Sequence, residues 1–328
     1  MLSEFDLIKQ YFVRPARAAK AQLGIGDDCA LLGLAPGRSF AISSDMLVEG
    51  RHFFAGEDPY RLGHKSLAVN LSDLAAMGAQ PAGFTLALAL PAADRDWLAG
   101  FSAGLFALAD AHDCELIGGD TTKGPLNICI TVFGEVAQGQ ALRRDAAQPG
   151  DDIWVSGTLG DARLALAGLR GEVALAPEAQ QLAGTRLHLP TPRVALGRLL
   201  AERGLARAAI DISDGLVGDL GHILERSGVG ATIDIDALPA GPALAMSPAA
   251  QDVTLRRACT AAGGDDYELC FTAAPAQRAA ILAAGAACGT PVTRVGRIDA
   301  SPGLQLTDGQ GAPLELRLAG FDHFGTGK

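Results

Sequence analysis

Apolar residues recur at helical spacing over residues 65–79, with Leu67, Leu71 and Leu74 on one side and Gly78 and Pro81 supplying the stop. A second face of the same wheel carries Ser66, Val69, Asn70, Asp73 and Met77, so an amide and a carboxylate stand one turn apart among apolar neighbours. A carboxylate there must be neutral, paired or bound to a cation, because burying an uncompensated charge is prohibitive. The plainer alternative is an internal cap or salt bridge.

Around this helix the pattern alternates between strands and amphipathic helices. Ser3 with Asp6 resembles a capping box ahead of a helix with Phe5, Leu7, Ile8 and Phe12 on one side. Residues 39–44, 83–90 and 127–136 read as strands, and 94–112 as a helix with Leu98, Phe101, Leu105 and Leu108 inward. A short strand at 114–117 runs into a turn, Gly118-Gly119-Asp120, and Arg143-Arg144-Asp145 with Pro149-Gly150 reads as a linker. Residues 1–140 and 146–328 are thus two expected domains.

The second half predicts strands at 152–156, 208–212, 231–235 and 269–272, and helices from Asp161, at 193–204, 216–227 and 252–261. The order predicts an α/β chain of α+β type. Its glycine turn at 157–160, placed before a helix, has the form of a loop that offers backbone N–H groups to an anion.

Composition narrows the partners. Lys and Arg total 27 against 37 Asp and Glu, a net charge of −10, which argues against a nucleic acid or an anionic membrane. The six cysteines show no CxxC pairing, so they read as reduced packing residues and zinc is disfavoured. The start lacks the basic, apolar character of a signal peptide and no uncharged apolar run reaches spanning length, so the cytoplasm is the expected location.

Acidic residues gather at strand ends and glycine turns: Asp27/Asp28, Asp45, Asp120, Asp211/Asp214 and Asp265/Asp266, with Asp73 on its helix. Carboxylates without matching bases point to hard cations, and magnesium bridging to phosphate oxygens is the natural occupant. The expectation is that acids from both halves converge. No Walker loop, no GxGxxG after a strand and no protein-kinase motif set is present; Gly325-Thr-Gly-Lys328 has no helix after it and reads as a tail.

The stretches Gly24-Ile-Gly-Asp-Asp28, Ser44-Asp45-Met-Leu-Val-Glu-Gly-Arg-His52, Asn70-Leu-Ser-Asp73, Gly118-Gly-Asp120, Arg144-Asp145, Asp211-Ile-Ser-Asp-Gly215 and Gly264-Asp-Asp-Tyr267 resemble, in order, those of the thiamine-monophosphate kinase family. The wider superfamily of aminoimidazole ribonucleotide synthetase shares the architecture but not this set. Selenophosphate synthetase would need a reactive cysteine in a glycine-rich N-terminal loop, and the hydrogenase carbamoyl dehydratase a C-terminal one, whereas Cys288 is the last here. A silent nucleotide- or metal-binding module is the rival from another class.

The resemblance implies a two-domain fold like that of aminoimidazole ribonucleotide synthetase. It further implies a homodimer joined through the N-terminal sheets, ATP as co-substrate, several magnesium ions and thiamine monophosphate as acceptor. By position, Asp28, Ser43, Ser44, Asp45, Asp73, Asp120, Asp211 and Asp214 would serve the metals. Gly119, Asp120, Arg144 and Ser213 would contact ATP, while His52, Asp265 and Phe321 would hold the thiamine phosphate. Asp73, Arg144 and Asp211 would carry catalysis, and an aromatic against the adenine is implied on the 94–112 helix, where Phe101 and Ser102 stand.

Overall fold

The first helix, α1 (Glu4–Tyr11), opens with the expected capping box, the Asp6 N–H donating to Ser3 Oγ at 3.2 Å. The structure, a computed structural model, describes residues 3–15, 20–26, 29–246 and 252–315. It falls into two units, one of residues 1–74 and 79–139, the other of 75–78 and 140–328.

In the first unit, β1 (Ala21–Leu23) and β2 (Leu31–Leu32) form a small ribbon, followed by β3 (Arg38–Val48), α2 (Pro59–Ala76), β4 (Gln80–Leu90), α3 (Arg95–Ala111), β5 (Glu115–Lys123) and β6 (Asn127–Ala137). The four long strands pair in the order β3-β6-β4-β5. β3 runs on to Val48 rather than ending near Ser44, because β6 partners every residue from Arg38↔Ala137 to Val48↔Asn127. Likewise β5 continues through the expected Gly118–Asp120 turn to Lys123, parallel to β4. Gly119 permits this: its φ is +152° and a Cβ there would sit 2.0 Å from the Leu86 carbonyl oxygen.

Ile128, Ile130 and Val132 of β6, with Leu86 and Leu88 of β4, are buried on the sheet face that α2 covers, where Leu74 lies against Gly134. α2 and α3 touch backbone to backbone, since a Cβ on Gly63 would fall 2.1 Å from the Phe101 carbonyl oxygen. The opposite sheet face leaves Ile42 59% and Met46 55% exposed.

The second unit contains β7 (Asp152–Ser156), α4 (Asp161–Leu169), α5 (Pro177–His188), α6 (Val194–Glu202), β8 (Ala209–Ile212), α7 (Leu216–Ser227), β9 (Gly230–Asp234), α8 (Pro242–Met246), α9 (Val253–Ala262), β10 (Glu268–Ala273), α10 (Arg278–Ala287), β11 (Val292–Asp299) and β12 (Gly303–Thr307). Its sheet runs β12-β9-β11-β7-β10-β8, antiparallel except at β12-β9. Ile153, Val155, Ile210, Ile212, Leu220, Ile223 and Cys270 are among the residues that build one core. Leu164, Leu187, Leu244 and Cys259 belong to a second, smaller cluster. α5 is not anticipated by periodicity: only Ala183, Gly184 and Leu187 are buried along it, and Leu182 is exposed.

All six cysteines are free thiols; Cys114, Cys259 and Cys270 are buried packing residues, burial pushing the Cys114 thiol up to about 12, whereas Cys29 is exposed and does not pack as expected. Among the described residues no helix is long and apolar enough to cross a membrane.

Candidate functional site

Alternation along β3 turns Ser43, Asp45 and Leu47 toward α2, and Ile42, Ser44 and Met46 toward the open face. On α2 a chain of side-chain hydrogen bonds meets them. Ser66 Oγ donates to the Leu62 carbonyl at 2.6 Å, Asn70 Nδ2 donates to the Ser66 carbonyl at 3.0 Å, and Asn70 Oδ1 accepts the Asp45 N–H at 3.1 Å. One turn further along, Ser43 Oγ donates to Asp73 Oδ2. Ser66 and Asn70 are fully buried while Asp73 is half-buried, so the amide serves the scaffold and the carboxylate reaches toward solvent.

Two predicted metal residues of the same sheet do not join this group. The Ser44 hydroxyl lies on the open face, donating to the Ile130 carbonyl at 3.1 Å and 3.0 Å from Thr131 Oγ1. Asp120, exposed, registers with Ala87, Cys129 and Met46 on that same face, whereas Asp45 registers with Ile130 and Leu86 on the other. β3 and β5 are opposite edges of the sheet, so three strand spacings, about 14 Å, separate Asp45 from Asp120 within one chain. These two acids therefore do not share one ion inside a single protomer.

His52 closes the turn after β3. Its Nδ1 accepts the Val48 N–H at 3.0 Å, which puts the proton of the neutral ring on Nε2. Phe101 is fully buried and stacks on Trp97 at 4.9 Å between centroids, and the Ser102 hydroxyl donates to the Ala99 carbonyl at 3.3 Å. Phe101 thus presents no ring face to a nucleotide, contrary to the implied adenine aromatic. A cavity of about 240 Å³ near Phe12, Arg14, Phe106 and Asp110 contains none of the predicted site residues.

In the second unit Asp211 is buried at the end of β8, and the turn after it presents half-buried Ser213 and Asp214. Buried Asp219, on the first turns of α7, reaches back: its Oδ2 accepts the N–H groups of Ser213, Asp214 and Gly215 at 3.0, 3.1 and 3.1 Å. Burial pushes its carboxyl up to about 7, against the pull of those N–H groups. The carbonyls of the same turn are held from the other side, Ser213 by the Asp265 N–H and Ile212 by the Tyr267 N–H, both at 2.8 Å.

Asp265 and Tyr267 adopt left-handed backbone conformations, φ +66° and +49°, which cost a non-glycine residue free energy and survive where surroundings over-determine them. The Tyr267 hydroxyl donates to Asp265 Oδ1 at 3.3 Å. Between them Asp266 is buried, Oδ1 accepting the Gly160 N–H at 2.9 Å, and burial raises its carboxyl well above the usual range. Below the loop, fully buried Glu268 accepts from Ser156 Oγ at 2.6 Å, Arg186 Nη2 at 2.8 Å and Arg193 Nε at 2.6 Å.

The turn at 157–160 is not an anion cradle. Its Gly157 and Leu159 N–H groups donate to the Pro291 and Pro239 carbonyls, each at 2.8 Å, and that of Gly160 goes to Asp266. Arg144 is exposed in the linker, its carbonyl accepting from Ser227 Oγ at 2.8 Å, while neighbouring Arg143 pairs with Asp145. Asp27, Asp28 and Phe321 lie outside the described residues.

Sequence reasoning missed Asp219 and the Glu268 network. Asp219 carries a local signal, an acid in the first turn of a helix after a glycine. Glu268 carries none, because its partners are 75 to 112 residues away.

Among the described residues no three His, Cys, Asp or Glu side chains gather into a ready-made metal cage. Magnesium does not require one, since it keeps waters and takes one or two carboxylates beside phosphate oxygens. The all-oxygen pairing of Ser43 with Asp73, with Asp45 on the same strand face, fits that demand.

Comparison with known proteins agrees with the motifs. The N-terminal domain of AIR synthase related protein matches residues 26–136 and its C-terminal domain residues 148–309. Thiamine-monophosphate kinase of Salmonella typhimurium is 47% identical over 327 residues, 98% of each chain. A crystal structure of thiamine-monophosphate kinase from Stenotrophomonas maltophilia K279a superposes with a TM-score of 0.82 at 48% identity, covering 90% of this chain and 93% of that one. AaThiL complexed with AMPPCP and TMP superposes with a TM-score of 0.77 at 27% identity, covering 98% and 96%. With both domains matched and a 47% identical relative aligned over 98% of each chain, the chain belongs to the thiamine-monophosphate kinase family of AIR synthase related proteins.

Proposed function

We propose that this chain transfers the terminal phosphoryl group of ATP to thiamine monophosphate, giving thiamine diphosphate and ADP. The observation that carries this reading is the 47% identity over 98% of both chains to the Salmonella typhimurium enzyme. The likeness to AaThiL bound to AMPPCP and TMP supports the same pair of ligands.

The residues suit a reaction that needs two anions brought together. The acceptor is a phosphate monoester oxygen, largely ionised near neutral pH, so no general base is required. Asp28, Ser43, Asp45, Asp73, Asp120, Asp211 and Asp214 serve several magnesium ions, with Ser44 the weakest member because its hydroxyl is turned away. Magnesium held by these residues would supply charge neutralisation to the two phosphate groups. Gly119 and Ser213 contact ATP, and Arg144 stabilises charge on the transferring group. His52, Asp265 and Phe321 hold the thiamine phosphate, His52 offering Nε2–H and Asp265 a carboxylate oxygen. Transfer is direct, with no phosphoenzyme.

The working form is a cytoplasmic homodimer. Ile42 and Met46 are both more than half exposed on the open sheet face, and a second copy would cover them. A dimer also answers the separation of Asp45 from Asp120, since a site formed from two chains need not draw both acids from one.

The test is incubation with ATP, magnesium and thiamine monophosphate, followed by chromatography. Thiamine diphosphate formed mole for mole with ADP is the expected result; ATP binding without product would instead mark a silent module. Labelled ATP alone should leave the protein unlabelled, and a stable phosphoprotein would contradict direct transfer.

A further inference from the structure

We propose that Asp219 is a positioning residue for the ATP and magnesium turn, acting through the backbone of Ser213, Asp214 and Gly215 and touching neither ligand. The inference rests on the kinase reading, which gives Ser213 and Asp214 their roles.

Three successive N–H groups converge on one carboxylate oxygen, Asp219 Oδ2, at 3.0 to 3.1 Å. A lone helix-capping acid needs one such bond, and the usual cap precedes its helix rather than following it by four residues. Here the Asp219 N–H itself donates to the Gly215 carbonyl at 3.0 Å, so the side chain is aimed back over the helix start from its own first turns. The turn's carbonyls are tied separately by the Asp265 and Tyr267 N–H groups. Both sides of the peptide ribbon are therefore gripped.

The grip also joins two sites. Ser213 is the nucleotide residue, and its carbonyl is hydrogen-bonded to the N–H of Asp265, the thiamine phosphate residue. Loosening the turn at Asp219 should therefore weaken ATP binding first and thiamine monophosphate second. Gly215, with φ +110° and a Cβ position 2.7 Å from the Ala262 backbone, leaves the ribbon no alternative path.

Calorimetric binding of ATP in excess magnesium tests this on the full-length chain, with steady-state KM values for both substrates alongside. Asp219→Ala should raise the dissociation constant about 10- to 100-fold, as loss of an outer-shell partner does, and Asp219→Asn should recover most of it because its oxygen still accepts. Leu220→Ala, next along the same helix and in the core, should lower the melting temperature while leaving the constant unchanged. Should Asp219→Ala fail to fold, Asp219→Ser, too short to reach the three N–H groups, is read in its place, and a constant raised about tenfold supports the proposal. An Asp219→Ala or Asp219→Ser variant that binds ATP as the wild type does overturns it. Wild-type protein that binds ATP but makes no thiamine diphosphate sinks the kinase reading and leaves the positioning role readable; wild-type protein that binds no ATP overturns both.

Discussion

The backbone N–H of Asp45 donates to the side-chain oxygen of Asn70 at 3.1 Å, tying an edge strand to the helix that covers its sheet. An edge strand otherwise presents unpaired N–H groups, and this bond removes one while fixing where Asp45 sits relative to Asp73. Asn70→Ala strands that N–H, while the Ser66 carbonyl keeps its helical bond to the backbone N–H of residue 70, so it should destabilise the fold by about 1 to 3 kcal/mol, measured by denaturant unfolding.

Asp73→Asn keeps an oxygen to accept from Ser43 and loses only the charge. Its stability should stay within about 1 kcal/mol of wild type while kcat falls about 100- to 1000-fold in a coupled ADP assay. Equal losses of stability and rate would mean that Asp73 is only scaffold.

Asp265 separates binding from strain. Asp265→Gly relieves the left-handed backbone, so stability should stay within about 1 kcal/mol of wild type. Asp265→Ala keeps the strain and loses the bond from Tyr267, and should cost about 1 kcal/mol more than glycine does. Both should raise the KM for thiamine monophosphate at least about tenfold, the loss expected of a charge-assisted contact.

The paired substitution Ile42→Glu and Met46→Glu places like charges on the open sheet face, where both side chains are more than half exposed in one chain. Light scattering should show the dimer converted to monomer with the unit still folded, because a buried interface rejects unpaired charge. A monomeric wild type would remove the dimer from the account.

Asp152 sets an acid limb on stability. Hydrogen bonds from Arg278, at 2.6 and 2.7 Å, hold its carboxyl below the usual range. A depressed folded pKa contributes stability above the unfolded value of about 3.9, and that stability is lost as pH falls from there toward the folded value. Asp152→Asn should lower the melting temperature at pH 7 and flatten its fall below about pH 4.

Asp219 and Glu268 show where legibility ended. The helix around Asp73, the capping box at Ser3 and the glycine punctuation followed from local periodicity and turn chemistry, which act over a few residues. Family membership was also readable, because ordered motifs lie along nearly the whole chain. The extension of β5 past Gly118 was not, since it depends on β4 offering a parallel partner and on room beside Leu86. Nor was the use of the 157–160 turn, whose N–H groups are consumed by Pro239, Asp266 and Pro291, far away in sequence.

By itself the sequence determined most of the elements, α5 excepted, and the stretches that carry the acids, because hydrophobic period, caps and glycines are properties of neighbours along the chain. Only the tertiary structure decided the face on which each acid lies. It set Asp45 and Asp120 on opposite edges, buried Phe101 against Trp97 and turned Asp219 back onto its own turn. The physical reason is that strand register, burial and backbone hydrogen bonds are settled between residues distant in sequence, where no local pattern records the partner.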